Sequence, residues 1–207
     1  GTGAGKTTFL NALSDYIPKT ERIITIEDSA ELQLRDVENL VRMETRNSNV
    51  EGENAITIRD LIKASLRMRP DRVIVGEVRD SAAIDMLTAM NTGHDGSLST
   101  GHANSAYDMI IRLESMVLMG IELPMEAVRR QIASAVDIII HLGRLRDGSR
   151  KVTEICEVTG IENGQVQLTS LYEFEEQAEK GRKTVQGYLK KKAALQNKEK
   201  LKRAGLE

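Results

Sequence analysis

Apolar and β-branched runs alternate along this chain with stretches of helical period, the pattern of an α/β fold in which a mostly parallel sheet is covered by helices. Thr8 to Tyr16 reads as a first helix that stops near Pro18, and Arg22 to Glu27 (RIITIE) as a short buried strand ending in acidic residues. Between Thr57 and Met68 the apolar residues Ile58, Leu61, Ile62 and Leu66 fall at helical spacing, and the helix stops before Pro70. Val73-Ile74-Val75 forms a second buried strand that runs into Gly76-Glu77. Ser81 to Met90 follows as a helix capped by Ser81 or Asp80 and ending around Gly93, with a small-residue strand from Gly96 to Thr100 behind it. Ser105 to Met119 and Pro124 to Ala135 are helices, the second opened by a proline in its first turn. Val136 to Leu142 is the strongest strand signal, and Lys151 to Thr159 and Gln165 to Phe174 alternate as an antiparallel pair around Asn163-Gly164. No internal repeat is present.

Beyond Phe174 the composition shifts to Lys, Glu, Gln and Ala with few large apolar residues, which predicts a solvated helix or frayed tail. The chain thus divides into one domain over residues 1–174 and a charged tail over 175–207. Tail lysines such as Lys190, Lys191 and Lys192 could meet acidic lipid or nucleic acid, but the interspersed glutamates favour a surface helix.

The chemistry begins at the first residue. Gly1-Thr2-Gly3-Ala4-Gly5-Lys6-Thr7-Thr8 is the tail of a G-x-x-x-x-G-K-[ST] phosphate-binding loop whose first glycine would fall one residue earlier. Its glycines let backbone N–H groups turn around a β-phosphate, Lys6 can reach the β and γ oxygens, and the Thr7 hydroxyl can complete a magnesium shell. ATP and Mg2+ are the expected ligands. A glycine-rich turn ahead of an ordinary helix is the plain alternative. Because a hydrophobic strand feeds into every such loop, the sequence is expected to be a fragment of a longer fold.

Composition narrows the options. The formal net charge of −2 gives no global field that would recruit nucleic acid or an acidic membrane. The single cysteine, Cys156, excludes a disulfide framework or a four-thiolate zinc site within the chain. No apolar run approaches membrane-spanning length and no signal peptide is visible, so a cytoplasmic product is expected. Aromatic residues are scarce and do not interleave with a basic stripe, which argues against a single-strand nucleic-acid platform.

A nucleotide hydrolase needs carboxylates to help hold magnesium and to orient or deprotonate water. Two clusters stand at predicted strand ends: Glu27-Asp28 with Glu31 a turn further on, and Glu77 directly after an aliphatic strand. Helix capping in an exposed loop is the competing account of Glu27 and Asp28. Gly76 occupies the place where an aspartate normally ends such a strand, so magnesium is expected on Thr7 and waters, with Glu77 one water removed. The segment TGHDGSLSTGHANS, from Thr92 to Ser105, carries His94 and His102, either of which could donate to a γ-phosphate or simply satisfy a turn carbonyl. A zinc site is disfavoured because no third ligand of proper spacing accompanies them. His141 reads as a core or sheet-edge residue. Arg79 is two residues from Glu77 and on an extended segment points the same way, towards phosphate or a neighbouring subunit, with pairing to Asp80 or Asp85 as the rival.

Taken in order, GTGAGKTT, ITIEDSAEL, RPDRVIVGEVRD and TGHDGSLSTGHANS resemble the ATPase superfamily of type II and type IV secretion and type IV pili, and more narrowly its CpaF/TadA branch, which powers tight-adherence (Flp-type) pili. The resemblance extends to about Phe174. It implies a RecA-like P-loop core in which Gly3, Gly5, Lys6, Thr7 and Thr8 are Walker A residues. Glu27, Asp28 and Glu31 would lie in the family's Asp box, with Glu27 the water-activating base. Glu77 would be the Walker B glutamate, and His94 and His102 would form the His box that senses the γ-phosphate. It further implies a homo-hexameric ring, peripheral at the bacterial inner membrane, that works on platform proteins there to assemble pili or export protein. A conjugation or effector-export ATPase shares all four motifs, and a nucleotide-gated scaffold with little turnover is an alternative of another class. The family's amino-terminal domain, which lends arginines to the neighbouring subunit's site, does not match within this sequence, so the fragment alone is expected to be weakly active.

Overall fold

A computed structural model of the chain describes residues 3–50, 53–177 and 184–206. Two four-stranded sheets organise them. The first is parallel, in the order β2-β1-β3-β4, with β1 Arg22–Glu27, β2 Asn39–Glu44, β3 Arg72–Val75 and β4 Leu98–Ser99. The inner strands β1 and β3 are buried on both faces, as expected for a parallel sheet covered on each side, and so read as continuous apolar runs.

The period-two alternation of these strands sorts their side chains. Ile24, Ile26, Val73 and Val75 pack into the larger core with helices α2 (Ile58–Leu66), α3 (Ala82–Asn91), α4 (Ala106–Leu118) and α5 (Met125–Ala135). Ile23 and Ile74 turn the other way, against Leu10 of α1 (Lys6–Ser14) and Leu32 and Leu34 of the segment after β1. Glu27 shares the parity of Ile23, so its side chain leaves β1 on the α1 face.

Local signals set the helix limits. Thr57 caps α2 reciprocally with Asp60, through an Asp60 N–H to Thr57 hydroxyl bond of 3.2 Å and a Thr57 N–H to carboxylate bond of 3.0 Å. Ser105 accepts the Asp108 N–H at 3.0 Å at the start of α4.

The second sheet is antiparallel, in the order β5-β6-β7-β8: β5 Ile138–Arg144, β6 Arg150–Glu162, β7 Gln165–Glu176 and β8 Gly187–Lys191. Asn163 and Gly164 join β6 to β7 with φ of 51° and 72°, the paired left-handed conformation of a tight hairpin turn. Val158 and Val166 bring this sheet onto the larger core beside Val128 of α5.

Two elements differ from the sequence pattern. β2 (NLVRME) is absent from the predicted elements, because as an edge strand it mixes Asn39, Arg42 and Glu44 with half-buried apolar residues. In the tail, the charged helix expected there is confined to α6 (Glu199–Arg203), and Gly187–Lys191 is a strand instead. Two lysines there are exposed but paired across the sheet: Lys190 with Glu175 at 2.7 Å, and Lys192, just past the strand, with Glu173 at 2.9 Å. Lys200 of α6 reaches Asp137 at 2.8 Å and Asp95 at 3.1 Å, tying the tail to the ends of both sheets.

Candidate functional site

The phosphate loop closes on two glycines, Gly3 and Gly5, with φ of 72° and 89°, a conformation that a side chain strains. Gly5 ends the loop and α1 begins at Lys6 with no acidic residue in its first turn. The first helical bond runs from the Phe9 N–H to the Gly5 carbonyl at 2.9 Å, which leaves the N–H groups of Lys6, Thr7 and Thr8 without an intrahelical partner. This is a positive helix end suited to an anion.

These groups line a cavity of about 500 Å3 together with Ala4, Glu27, Asp28, Glu31, Gly76, Glu77, Arg79, Thr100, His102 and Arg150. The loop and the acidic ends of adjacent parallel strands thus meet in one cleft, at the carboxyl edge of the sheet where α/β folds carry their ligands. Gly1 and Thr2, expected in the loop, lie outside the described residues.

Inside the cleft the charged groups pair with one another. His102 Nε2 lies 3.0 Å from a Glu77 oxygen, and Lys6 Nζ lies 3.3 Å from each His102 ring nitrogen. A neutral ring protonated on Nε2 donates to Glu77 and accepts from Lys6 through Nδ1. Partial burial holds the Lys6 ammonium below the ordinary lysine value, offset in part by the Glu77 charge. Arg79 bridges Glu77 at 3.4 Å and Asp28 at 3.2 Å. Its expected rivals are engaged elsewhere: Asp80 accepts the Ala82 N–H at 2.9 Å, and Asp85 meets Arg59 at 2.6 Å. The Thr7 hydroxyl donates to Glu31 at 3.3 Å.

Glu27 stands apart. It is only 5 % exposed, and one carboxylate oxygen accepts the backbone N–H groups of Glu31 at 3.0 Å and Leu32 at 2.9 Å. A Cβ on Gly76 would sit 2.9 Å from Glu27 Cγ, so the glycine standing where an aspartate was expected is what admits this carboxylate between the strands.

The two histidines of the Thr92–Ser105 segment separate. Thr100 donates its hydroxyl to the Gly76 carbonyl at 2.6 Å and accepts the Val78 N–H at 3.0 Å, which sets His102 beside Glu77. His94 does not line the cleft, contrary to its expected place in a γ-phosphate sensor. Its Nδ1 lies 3.0 Å from the Ala89 carbonyl and closes the turn after α3, the plain alternative for it.

Arg150 is a charged cleft residue that the sequence did not announce. Its Nε donates to the Gly3 carbonyl at 2.5 Å across 147 positions of sequence. Arg144, Arg146 and Arg150 stand close together in the sequence, and no local spacing tells which of them faces the loop. A second cavity of about 380 Å3 lies between α1, β4 and β5, is lined mainly by apolar residues such as Phe9, Leu13 and Ile139, and shares only Lys6 and Thr100 with the cleft.

A phosphate loop, two acidic strand ends and a histidine in one cleft define a P-loop nucleotide site. Comparison with known proteins narrows the class. The family described as type II/IV secretion system protein matches residues 1–204, and the chain belongs to that family. It is 42 % identical over 172 residues to a protein of Mycobacterium tuberculosis (strain ATCC 25618 / H37Rv) named for conjugal transfer, covering 83 % of this chain and 48 % of that relative. It is 39 % identical over 160 residues to the type IV secretion system protein VirB11 of Brucella suis biovar 1, covering 74 % of this chain and 44 % of the relative. The chain therefore spans about half the length of such relatives.

Among solved structures, the VirB11 ATPase of Brucella suis in complex with sulphate superposes with a TM-score of 0.68 at 36 % identity, over 75 % of this chain and 46 % of that one. The pilus retraction motor PilT with bound ADP gives 0.53 at 31 % identity, over 73 % and 43 %. The α/β architecture with a parallel sheet and a separate antiparallel sheet is that of these ATPase domains. Among the described residues, no helix is long and apolar enough to cross a membrane.

Proposed function

We propose that this chain binds and hydrolyses Mg2+-ATP as the motor part of a type IV secretion or conjugal-transfer ATPase. The observation that carries this reading is the shared cleft: Lys6, the free N–H groups of α1, Glu77 and His102 converge on one volume. The names of the conjugal-transfer and VirB11 relatives support that cargo class over Flp pilus assembly. The CpaF/TadA pilus reading is the second one, carried by the wording of the Thr92–Ser105 segment and by the likeness to PilT.

The donors present fit magnesium. Thr7, Glu31 and Glu77 offer hard oxygen ligands, and among the described residues no group of three His, Cys, Asp or Glu forms a self-sufficient metal site. The ion would draw its remaining ligands from phosphate oxygens and water, and it supplies charge neutralisation along the phosphate chain. Lys6 and the α1 N–H groups bind and orient the phosphates. Glu77 orients water and takes its proton, while His102 exchanges its bond to Glu77 for one to the terminal phosphate. Glu27 is assigned a positioning role in place of the base implied by the resemblance, since the side chain is buried and one of its two oxygens anchors two backbone N–H groups of the loop. The working assembly proposed is a homo-hexamer, peripheral at the inner membrane through platform proteins, with no nucleic acid in the site.

Titration with Mg2+-ADP and measurement of phosphate release test the proposal. Lys6→Ala should abolish binding, and Glu77→Gln should keep binding while phosphate release falls about 100-fold or more. Equal, negligible release from both the parent chain and Glu77→Gln, with binding retained, would favour the nucleotide-gated scaffold. Loss of plasmid transfer or of piliation on deletion in the source organism separates the two cargo readings.

A further inference from the structure

We propose that Arg150 is a nucleotide-contacting residue, supplied to the phosphate site from the antiparallel sheet, that donates to the phosphate chain of a bound nucleoside di- or triphosphate. The proposal rests on the nucleotide reading above. It adds a residue that none of the recognised motifs contains.

Four observations carry it. Arg150 lines the cleft with Lys6, Thr7, Glu77 and His102. Its Nε is anchored on the Gly3 carbonyl at 2.5 Å, and its Cδ passes 3.5 Å from where a Cβ on Gly5 would stand, so the side chain packs against the loop. Among the described residues no carboxylate forms an ion pair with it and no hydrogen bond engages its two Nη groups, whereas Arg79 is committed to Glu77 and Asp28. Its base is fixed. In the turn between β5 and β6, Leu145 N–H bonds the Ser149 carbonyl at 2.8 Å and Gly148 N–H the Leu145 carbonyl at 2.9 Å. Asp147 accepts from the Ser149 hydroxyl at 2.6 Å and the Val185 N–H at 2.6 Å, and Arg146 pairs with Glu176.

A planar guanidinium anchored beside a phosphate loop by one N–H, with its other donors unengaged among the described residues, can make paired bonds to phosphate oxygens. Presenting it from a rigid turn lowers the entropy lost when it engages a ligand. The alternative is a strut that merely holds the Gly3 carbonyl. The two accounts differ in what a ligand feels: a strut acts on the fold with or without nucleotide, and a phosphate contact acts on binding.

The test uses the 207-residue chain and Mg2+-ADP. Calorimetric titration and thermal melting without nucleotide are run on the parent chain, Arg150→Ala, Arg150→Lys and Lys6→Ala. Arg150→Ala should weaken Mg2+-ADP binding by about tenfold to a hundredfold, as expected for a charged hydrogen-bond donor to phosphate, with the nucleotide-free melting point unchanged. Arg150→Lys should recover part of that loss. Parent-like affinity in Arg150→Ala would overturn the proposal and leave the nucleotide reading standing. So would an affinity loss matched by a fall in the nucleotide-free melting point that lysine does not restore. A parent chain that binds Mg2+-ADP no better than Lys6→Ala would sink both.

Discussion

Replacing Gly76 by alanine isolates the packing that places Glu27. The backbone of Gly76 is not left-handed, so conformational freedom is not at issue, and the added methyl alone is tested. That methyl would lie 2.9 Å from Glu27 Cγ and 3.6 Å from its Cβ, on a residue wedged in the buried end of β1. Overpacking at such a site costs about 1–3 kcal/mol, which for a domain of this size lowers the melting temperature by about 2–12 °C. If Glu27 yields instead, it gives up the Glu31 and Leu32 N–H groups, and charge-assisted bonds of this kind are worth about 1.5–3 kcal/mol each. Thermal melts of Gly76→Ala, Glu27→Ala and the double variant measure the coupling. Glu27→Ala removes Cγ, so the alanine at position 76 should become nearly harmless in that background, with a coupling on the order of 1–3 kcal/mol. Single effects that add to within about 0.5 kcal/mol would refute the steric account.

Two further outcomes follow from titratable groups. Burial, helped by Glu154, pushes the Cys156 thiol up to about 12, and the residue is 2 % exposed, so iodoacetamide at pH 8 should label it only as fast as the chain unfolds; labelling at the rate of a free thiol would contradict this. Asp147 is held down to about 2 by the Ser149 hydroxyl and then by the Val185 and Ser149 N–H groups. Its folded value lies below its ordinary 3.8, so its hold on the turn is complete above 3.8 and fades as pH falls towards 2. The Val185 amide should lose exchange protection over that interval, and in Asp147→Asn that acid-dependent loss should vanish.

What the sequence disclosed follows from how each element is stabilised. β1 and β3 were legible because burial on both faces demands uninterrupted apolar residues, and the Asn163-Gly164 turn because few residues adopt its paired left-handed geometry. β2 and β8 were not. They are outer strands whose polar residues are matched across strands or to solvent, and a strand whose Lys190 pairs diagonally with Glu175 looks, in one dimension, like a solvated helix. The same holds in the cleft. Lys6, Glu27 and Glu77 were visible from motif and strand end, but His94 and His102 sit in the same kind of small-residue loop. Only the Thr100 bond to Gly76, a contact between strands, decides which of them reaches Glu77. Arg150 depends on a turn that brings it back to Gly3 and Gly5, and no periodicity records that.

The two glutamates at the ends of adjacent strands differ in what it takes to move them. Glu27 is bonded to backbone N–H groups and packed against Gly76, so displacing it means rebuilding the loop from Glu27 to Leu32. Glu77 is held by His102 and Arg79, and Thr7 by a 3.3 Å bond to Glu31, all side-chain contacts that can be traded for others by rotation about χ angles. On the proposed reading, a phosphate chain that draws Lys6 and Thr7 to itself withdraws the Lys6 contact from His102 and the Thr7 contact from Glu31, and leaves Glu27 undisturbed. The response to nucleotide then runs through side chains, those of Glu77, His102 and Glu31 with the Arg79 that Glu77 holds and the Arg150 proposed to meet the phosphates. Of these, His102 stands on the segment that joins β4 to α4.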